Sequence, residues 1–138
     1  MTAVTPAIDP TRESIQQFAA QFPADTPVVM LNLLRFREQA NYADPSVSPC
    51  SGRRAYAEYS KLIEPILAAA GGEVVWVGKS FGALIAPSGE VWDEVLLVKY
   101  PTKDAFLGMI RSEAYRAIVH HRTAALADSR LVPNTQGL

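Results

Sequence analysis

Two neighbouring residues, His121 and Arg122, have side chains suited to chemistry and lie in a helical segment that carries an apolar stripe. Arg122 falls between Val119 and Leu126 on that stripe, and a guanidinium keeps its charge in any folded setting. Burying this charge without a partner would cost several kcal/mol. Arg122 is therefore expected to pair with a carboxylate of the protein, to reach solvent at the helix edge, or to hold a negatively charged ligand.

His121 is the candidate for proton transfer, because a histidine titrates near neutral pH without assistance. Adjacent helix residues point about 100° apart, so His120 and His121 cannot face the same site, and His121 lies on the more apolar flank. The alternative is a partly exposed imidazole at the helix edge that only water contacts. Asp93 is the candidate to orient His121, and with Glu94 it is also a candidate for a structural ion pair with Arg122.

Asn32 interrupts the otherwise apolar stretch VVMLNLLRF, residues 28–36. A buried amide needs hydrogen-bond partners, so Asn32 is expected either to bond a neighbouring backbone group or to donate to a ligand oxygen, as in an oxyanion hole. Aromatic residues could form the pocket wall, although such residues more often belong to a core or an interface. The candidates for substrate contact, besides Arg122, are Tyr56, Tyr59, Trp92 and, at the rim, Arg35.

Other kinds of chemistry have little support in the sequence. The single cysteine, Cys50, lies in a proline-flanked loop without an evident base, and there is no G-x-S-x-G nucleophile motif. No glycine-rich phosphate or dinucleotide motif occurs, and the histidines lack a third metal ligand at a recognisable spacing. No metal or cofactor is therefore expected, which leaves proton transfer or ligand binding.

Composition excludes several classes of partner. The chain has 138 residues and a formal net charge of −1, without the clustered basic residues typical of nucleic-acid binding. Its longest apolar run is far shorter than a membrane span, and its first residues lack the pattern of a secretory signal. With 49% hydrophobic and 20% charged residues, the sequence predicts one globular domain in the cytoplasm.

The pattern of apolar residues predicts one helix followed by the order β-α-β-β-α-β. The first helix is expected to begin at Asp9 and Pro10, with Asp9 as its cap. Residues 37–52 carry no periodicity and are expected to form a loop that could act as a lid. The remaining predicted elements are strands at 28–36, 73–81, 91–100 and 129–136, a short strand or turn within 82–90, and helices at 53–70 and 102–128.

This order indicates an α+β, ferredoxin-like domain, in which a four-stranded antiparallel sheet carries two helices on one face. Residues 1–26 are assigned to a tail and an additional helix, and residues 27–138 to the single domain. The first and third strands are apolar on both faces, yet helices cover only one of them. Because monomers rarely expose a large apolar patch, a homodimer packed sheet against sheet is predicted.

Several motifs resemble the domain of unknown function 1330 family, which belongs to the dimeric α/β-barrel superfamily. They are the pair Tyr56 and Tyr59, the Gly71-Gly72 step, the string from Trp92 to Pro101, and the S-E-A-Y motif followed by Arg122. The resemblance covers about residues 27–135 and implies a ferredoxin-like domain that pairs into a dimeric barrel. It places the usual pocket between the sheet and the helices of each subunit, but it implies no particular reaction, because a shared fold does not transfer a function.

The sequence thus predicts a cofactor-independent enzyme that performs acid–base chemistry on a small anionic or enolisable molecule. Arg122 would hold the negative charge, His121 would move a proton, and Asn32 would stabilise a developing oxyanion. The loop 37–52 would close over the pocket and exclude water. The alternative is a non-catalytic protein that binds a small molecule in the same pocket, and a third reading is an interaction module.

Overall fold

The structure, a computed structural model, describes residues 5–137. Its four strands form one antiparallel sheet, in which the second strand in chain order lies at one edge and is followed by the third, the first and the fourth. After the first helix the elements follow the order βαββαβ, with the last helix divided in two, which confirms the predicted ferredoxin-like fold. The elements are α1 (Arg12–Gln21), β1 (Val28–Phe36), α2 (Gly52–Ala69), β2 (Glu73–Lys79), β3 (Glu94–Tyr100), α3 (Lys103–Arg111), α4 (Glu113–Ala125) and β4 (Leu126–Asn134).

Strand β1 is central and pairs with β3 on one side and β4 on the other. Its side chains alternate between the two faces, and Val28, Met30 and Leu34 on the helix-facing side are buried. Asn32 lies in the same row, between Met30 and Leu34, and is paired in register with Leu96 of β3. The sheet therefore presents one amide to the helices from the middle of an apolar row.

The core between sheet and helices consists of two groups of buried residues. One gathers around β1, β3 and α3, and the other around the amino end of α2 and the junction of α4 with β4. Leu96 and Tyr115 contact both groups. Full burial of such a Leu or Val contributes roughly 1.5–3 kcal/mol, so the two groups together hold the helices on the sheet.

The first helix begins later than predicted. Its cap is Thr11, not Asp9, because Thr11 and Ser14 each accept a backbone N–H from the other at 3.0 and 2.9 Å, the reciprocal arrangement of a capping box. Asp9 instead accepts the hydroxyl of Thr123 at 3.0 Å. The helix is fixed to the domain by Lys103, whose Nζ donates to the carbonyls of Ala19 and Phe22 at 2.6 and 2.7 Å.

The last helix also ends earlier than predicted, at Ala125, and β4 begins with Leu126. The carbonyls of Ala124 and Ala125 accept N–H groups of Asn41 and Arg37, each at 2.8 Å. These bonds from the loop after β1 satisfy carbonyls at the helix end that lack an internal partner. Leu126 is therefore a fully buried first residue of a strand, and the apolar stripe predicted around Arg122 stops one turn early.

Candidate functional site

Four tyrosines lie between the helices and the sheet, and the rings of Tyr56 and Tyr115 each contact that of Tyr59. Tyr56 and Tyr59 come from α2, Tyr115 from α4 and Tyr100 from β3. The rings of Tyr56 and Tyr59 lie 5.4 Å apart, and the Tyr59 hydroxyl donates to that of Tyr115 at 3.4 Å. We call these tyrosines, together with Arg122, Asn32 and Glu94, the interior polar cluster.

Arg122 is buried at 7% exposure and reaches this cluster from the last turn of α4. Its Nη1 donates to the carbonyl of Ile8 at 2.6 Å. Within residues 5–137 the only ion pair joins Arg130 to Asp128 at 2.8 Å, so the expected pair of Arg122 with Asp93 or Glu94 is absent. A buried charge held by a neutral carbonyl alone is costly, and it leaves this guanidinium available to an anion.

Tyr56 supplies a hydrogen-bond donor close to this charge. Burial raises the pKa of Tyr56 to about 12, with Arg122 opposing the rise and Glu94 adding to it, so the hydroxyl keeps its proton at neutral pH. It has no hydrogen-bond partner among the described residues. The only side-chain nitrogen or oxygen in that part of the chain that is both sealed and unpartnered is Nε of Arg37. The Tyr56 hydroxyl is therefore not completely sealed from solvent.

Tyr59 and Tyr100 also have raised pKa values. Burial raises the pKa of each tyrosine well above the ordinary value, and the neighbouring Tyr115 adds to both shifts. Arg122 acts in the opposite direction on Tyr59. The hydroxyls of Tyr56, Tyr59 and Tyr100 thus act as neutral donors rather than as bases.

Asn32 faces the cluster from the sheet. It is half-buried, and its Nδ2 donates to the carbonyl of Met30 in its own strand at 3.3 Å. This backbone bond is one of the two roles predicted for Asn32, but it is long and uses only one of the two N–H bonds. The amide therefore keeps a donor for a ligand oxygen.

Glu94 brings a titratable carboxyl to the same side of the sheet. It begins β3 in the row that continues through Leu96 to Tyr100. Burial raises the pKa of Glu94, the nearby Arg53 lowers it, and Asp93 raises it further. From the sequence, Glu94 was expected only as an ion-pair partner, although the two-residue alternation of β3 places it on the helix-facing side.

His121 lies elsewhere, against the loop 37–51. Its Nδ1 forms a hydrogen bond of 2.6 Å with the Tyr42 hydroxyl. Both residues border an open surface pocket of about 620 Å³, which neither Arg122 nor Asn32 lines. Burial lowers the pKa of His121, the charge of His120 adds to this effect, and Glu58 opposes it. The predicted trio of Arg122, His121 and Asn32 is therefore split between two places, because adjacent residues of α4 point in different directions.

Asp93 contacts neither of its two expected partners. Its Oδ2 accepts the N–H of Phe36 at 2.8 Å, and its own N–H donates to the carbonyl of Leu34 at 2.7 Å. These bonds hold β1 where its register with β4 shifts between Arg35 and Phe36. The carboxylate of Asp93 thus orders the end of the sheet, and the expectation that it orients His121 or pairs with Arg122 was wrong.

Trp92 and Arg35 are separate from the interior polar cluster. Trp92 is buried just before β3, with the guanidinium of Arg130 5.1 Å from the centre of its ring. Arg35 is exposed on the sheet face that points away from the helices. Neither side chain forms a hydrogen bond or ion pair with Arg122.

A short segment before α1 crosses the end of α4, where the sequence predicted only a loose tail. The carbonyl of Ala7 accepts the N–H and hydroxyl of Ser129 at 2.8 and 2.7 Å, and its N–H donates to Asp128 at 2.9 Å. The next residue, Ile8, accepts from Arg122. We call residues 7–9 the N-terminal strap. Because it is held mainly through backbone atoms, no residue type in the sequence signals it.

Two further observations concern residues 5–137 as a whole. No group of three or more His, Cys, Asp and Glu side chains lies close enough together to hold a metal ion within this range. No helix in the described part of the chain combines the length and apolar character needed to cross a membrane.

Comparisons with known proteins agree with the fold. The family described as "Domain of unknown function (DUF1330)" matches residues 49–135. A crystal structure of a protein of unknown function from Rhodopseudomonas palustris has 42% identity and a TM-score of 0.89, covering 97% of this chain and 99% of the other. The match confirms the resemblance from residue 49 onward. No curated protein sequence matches significantly.

More distant structures share the fold alone. A hydroxynitrile lyase from Passiflora edulis has 10% identity and a TM-score of 0.55, covering 82% of this chain and 95% of its own. A dimeric protein of unknown function with a ferredoxin-like fold from Bacteroides fragilis has 14% identity and a TM-score of 0.51, with coverage of 83% and 100%. At such identities the likeness extends to the arrangement of helices and strands and not to the site.

Proposed function

The chain belongs to the DUF1330 family, and because that family has no assigned activity, we propose a function from the interior polar cluster. The protein is a cofactor-independent enzyme that performs acid–base chemistry on a small anionic or enolisable molecule bound between sheet and helices. The observation that carries this proposal is the burial of Arg122 without a carboxylate partner among the described residues.

Binding depends on Arg122 and Tyr56. A carboxylate or enolate oxygen would replace the missing counter-ion of the guanidinium, and a charge-assisted hydrogen bond of this kind is about twice as strong as a neutral one. The neutral Tyr56 hydroxyl, which lacks a partner among the described residues, donates a second hydrogen bond. Burial strengthens both contacts because the surrounding dielectric is low.

Proton transfer is assigned to Glu94. Its carboxylate takes a proton from the carbon next to a carbonyl group of the substrate. The electron pair of that C–H bond forms the C=C bond of an enolate, and the π pair of the carbonyl group moves onto its oxygen. The resulting oxyanion accepts hydrogen bonds from Tyr56 and Asn32. Burial raises the pKa of Glu94 and makes its carboxylate a stronger base than an ordinary glutamate. Return of the proton to the same or another atom completes an exchange or an isomerisation.

A non-catalytic binding protein is the second candidate. The distance in the fold between His121 and the interior polar cluster favours it, because the histidine that was expected to move the proton is absent from the binding site. Both candidates need Arg122, but only the enzyme needs the carboxyl of Glu94.

The test uses purified protein and a panel of small 2-oxo and 3-oxo carboxylic acids. Binding is followed by ligand-observed NMR, and exchange of the proton next to the carbonyl is followed in D₂O. Arg122→Gln should weaken binding by about tenfold or more, while Arg116→Gln, an exposed arginine of the same helix, should not. Glu94→Gln should retain binding and lose the exchange.

The outcomes separate the two candidates. Exchange that survives in Glu94→Gln removes the assigned base, and binding without exchange in the wild type supports the non-catalytic protein. Unchanged affinity in a folded Arg122→Gln variant contradicts both, because the anion would then be held by another group.

The proposal includes a homodimer that packs through the sheet face away from the helices. Apolar residues of β1, β3 and β4 occupy this face, and its edges are open, with Trp76 at 54% and Val132 at 44% exposure. Contiguous apolar surface of this kind marks an interface in soluble proteins. A second copy presents the same sheet face, so in a two-fold dimer the outer face of each subunit is buried against that of the other.

A further inference from the structure

The loop between β2 and β3 carries the most exposed apolar side chains of the described chain. Phe81, Leu84 and Ile85 are 87%, 101% and 94% exposed. The loop is closed at its base, where the N–H of Ser80 donates to the carbonyl of Asp93 at 2.9 Å. We call residues 80–91 the β2–β3 arm, since they leave the sheet at one end and return to it.

The composition of the β2–β3 arm is that of a buried segment. Residues 80–89, SFGALIAPSG, contain no charged side chain. Gly82 and Gly89 have φ values of 69° and 86°, and a Cβ at either would meet nothing within 4 Å, so turn geometry rather than crowding explains these glycines. Apolar side chains that stand this far from their own domain are typical of a surface that another molecule covers.

We propose that the β2–β3 arm packs against a second copy of this chain. The inference rests on the proposed homodimer. The arm continues from β2, where Trp76 is in register with Leu97 on the sheet face away from the helices and is 54% exposed, and so prolongs the apolar sheet face assigned to that interface. In a two-fold dimer each arm reaches the other subunit in the same way.

The apolar area of the β2–β3 arm is large enough to contribute to a dimer interface. A stable interface buries about 800 Å² on each partner, and a single phenylalanine such as Phe81 supplies roughly 150–250 Å². With Leu84 and Ile85 added, the arm provides a substantial share of that requirement beyond the sheet face. A lipid surface fits less well, because segments that bind membranes carry several basic residues beside the apolar ones, whereas residues 80–91 contain none and only Lys79, at the base of the arm, lies near Phe81.

The experiment combines crosslinking with measurement of assembly. A photoreactive benzoylphenylalanine replaces Phe81 in the full chain, and in a control it replaces Val47, which is 38% exposed in another loop. Irradiation should yield a crosslinked dimer only from the Phe81 position, with both peptides belonging to this chain. Crosslinks confined to one subunit, or to a different protein, would overturn the proposal.

Assembly is measured by analytical ultracentrifugation. The triple variant Phe81→Ser, Leu84→Ser and Ile85→Ser should raise the dimer dissociation constant by about tenfold or more, with thermal unfolding of the subunit retained because these side chains contact little of their own domain. If the wild type is dimeric and the variant dimerises with equal affinity, the role of the arm is refuted and the dimer itself is not. A monomeric wild type refutes both.

Discussion

At the level of single residues, the interior polar cluster contains one carboxylate, Glu94, among several groups that can donate hydrogen bonds. Arg122, Tyr56 and Asn32 all present N–H or O–H groups, and Glu94 is the acceptor on the same side of the sheet. The sequence could predict the burial of Arg122 from its place on an apolar stripe. It could not predict the partner, because Ile8 offers a backbone carbonyl 114 residues away, and every residue type carries such a group.

His121 gives a prediction at this scale. Burial lowers its pKa in the folded protein below the ordinary value of about 6.5. As the pH falls through 6.5, the unfolded chain therefore binds a proton first, and the free energy of unfolding decreases until the folded-state pKa is reached. The variant His121→Gln cannot bind this proton. As the pH is lowered from about 7.5 to 5.5, the free energy of unfolding of the wild type should therefore fall relative to that of the variant.

Urea unfolding at a series of pH values measures the effect. His120→Gln serves as the control and should keep most of the pH dependence, because burial and not the neighbouring histidine is the larger cause of the shift. Parallel stability curves for the wild type and His121→Gln would show that this imidazole titrates alike in the folded and unfolded chain.

Among the elements, the start of α2 and the end of α4 are joined through the loop 37–51. The N–H of Gly52 donates to the carbonyl of Arg37 at 3.0 Å, and the N–H of Arg37 donates to Ala125 at 2.8 Å. The sequence predicted β1 and α2 almost to the residue, because apolar periodicity and flanking turn residues specify them. The end of α4 was missed because these long-range backbone bonds, and not a local signal, stop the helix.

Gly52 supplies the prediction for this junction. A Cβ at residue 52 would lie 2.3 Å from the carbonyl oxygen of Arg37 and 2.5 Å from that of Ala125. Both are backbone atoms, so neither can rotate away. Gly52→Ala should therefore lower the free energy of unfolding by about 1–3 kcal/mol or more. Gly108→Ala in α3 is the matched control, because its Cβ would meet nothing within 4 Å and alanine favours the helix by roughly 0.5–1 kcal/mol. Equal urea midpoints for the two variants would contradict the crowding argument.

For the whole molecule, the arrangement of helices and strands could be predicted from the sequence, but the composition of the candidate site could not. The order of elements and the one-sided placement of helices follow from periodicity, and both were predicted. The separation of His121 from Arg122 and Asn32 could not be predicted, because the direction of the His121 side chain depends on the loop that supplies Tyr42. Residues 37–51 show no hydrophobic periodicity from which the course of that loop could be inferred.

Leu31 tests the assembly proposed for the outer face. It lies in the middle of β1 on the side away from the helices, so Leu31→Lys places an unpaired charge at the centre of the proposed interface. The dimer dissociation constant should rise by about a hundredfold, since the loss of roughly 2–5 kcal/mol is usual for an unpaired buried charge. Ala117→Lys on the exposed side of α4 should leave sedimentation unchanged. If both variants sediment like the wild type, the subunits meet through another surface.

The N-terminal strap has a practical consequence for work on the protein. Ile8 accepts a hydrogen bond from the guanidinium that is assigned to hold the substrate, so a bound acid and the strap would share Arg122. Substitutions in residues 7–9 should accordingly alter ligand affinity as well as stability. Ligand measurements on such variants would report whether the acid displaces the Ile8 carbonyl or binds beside it.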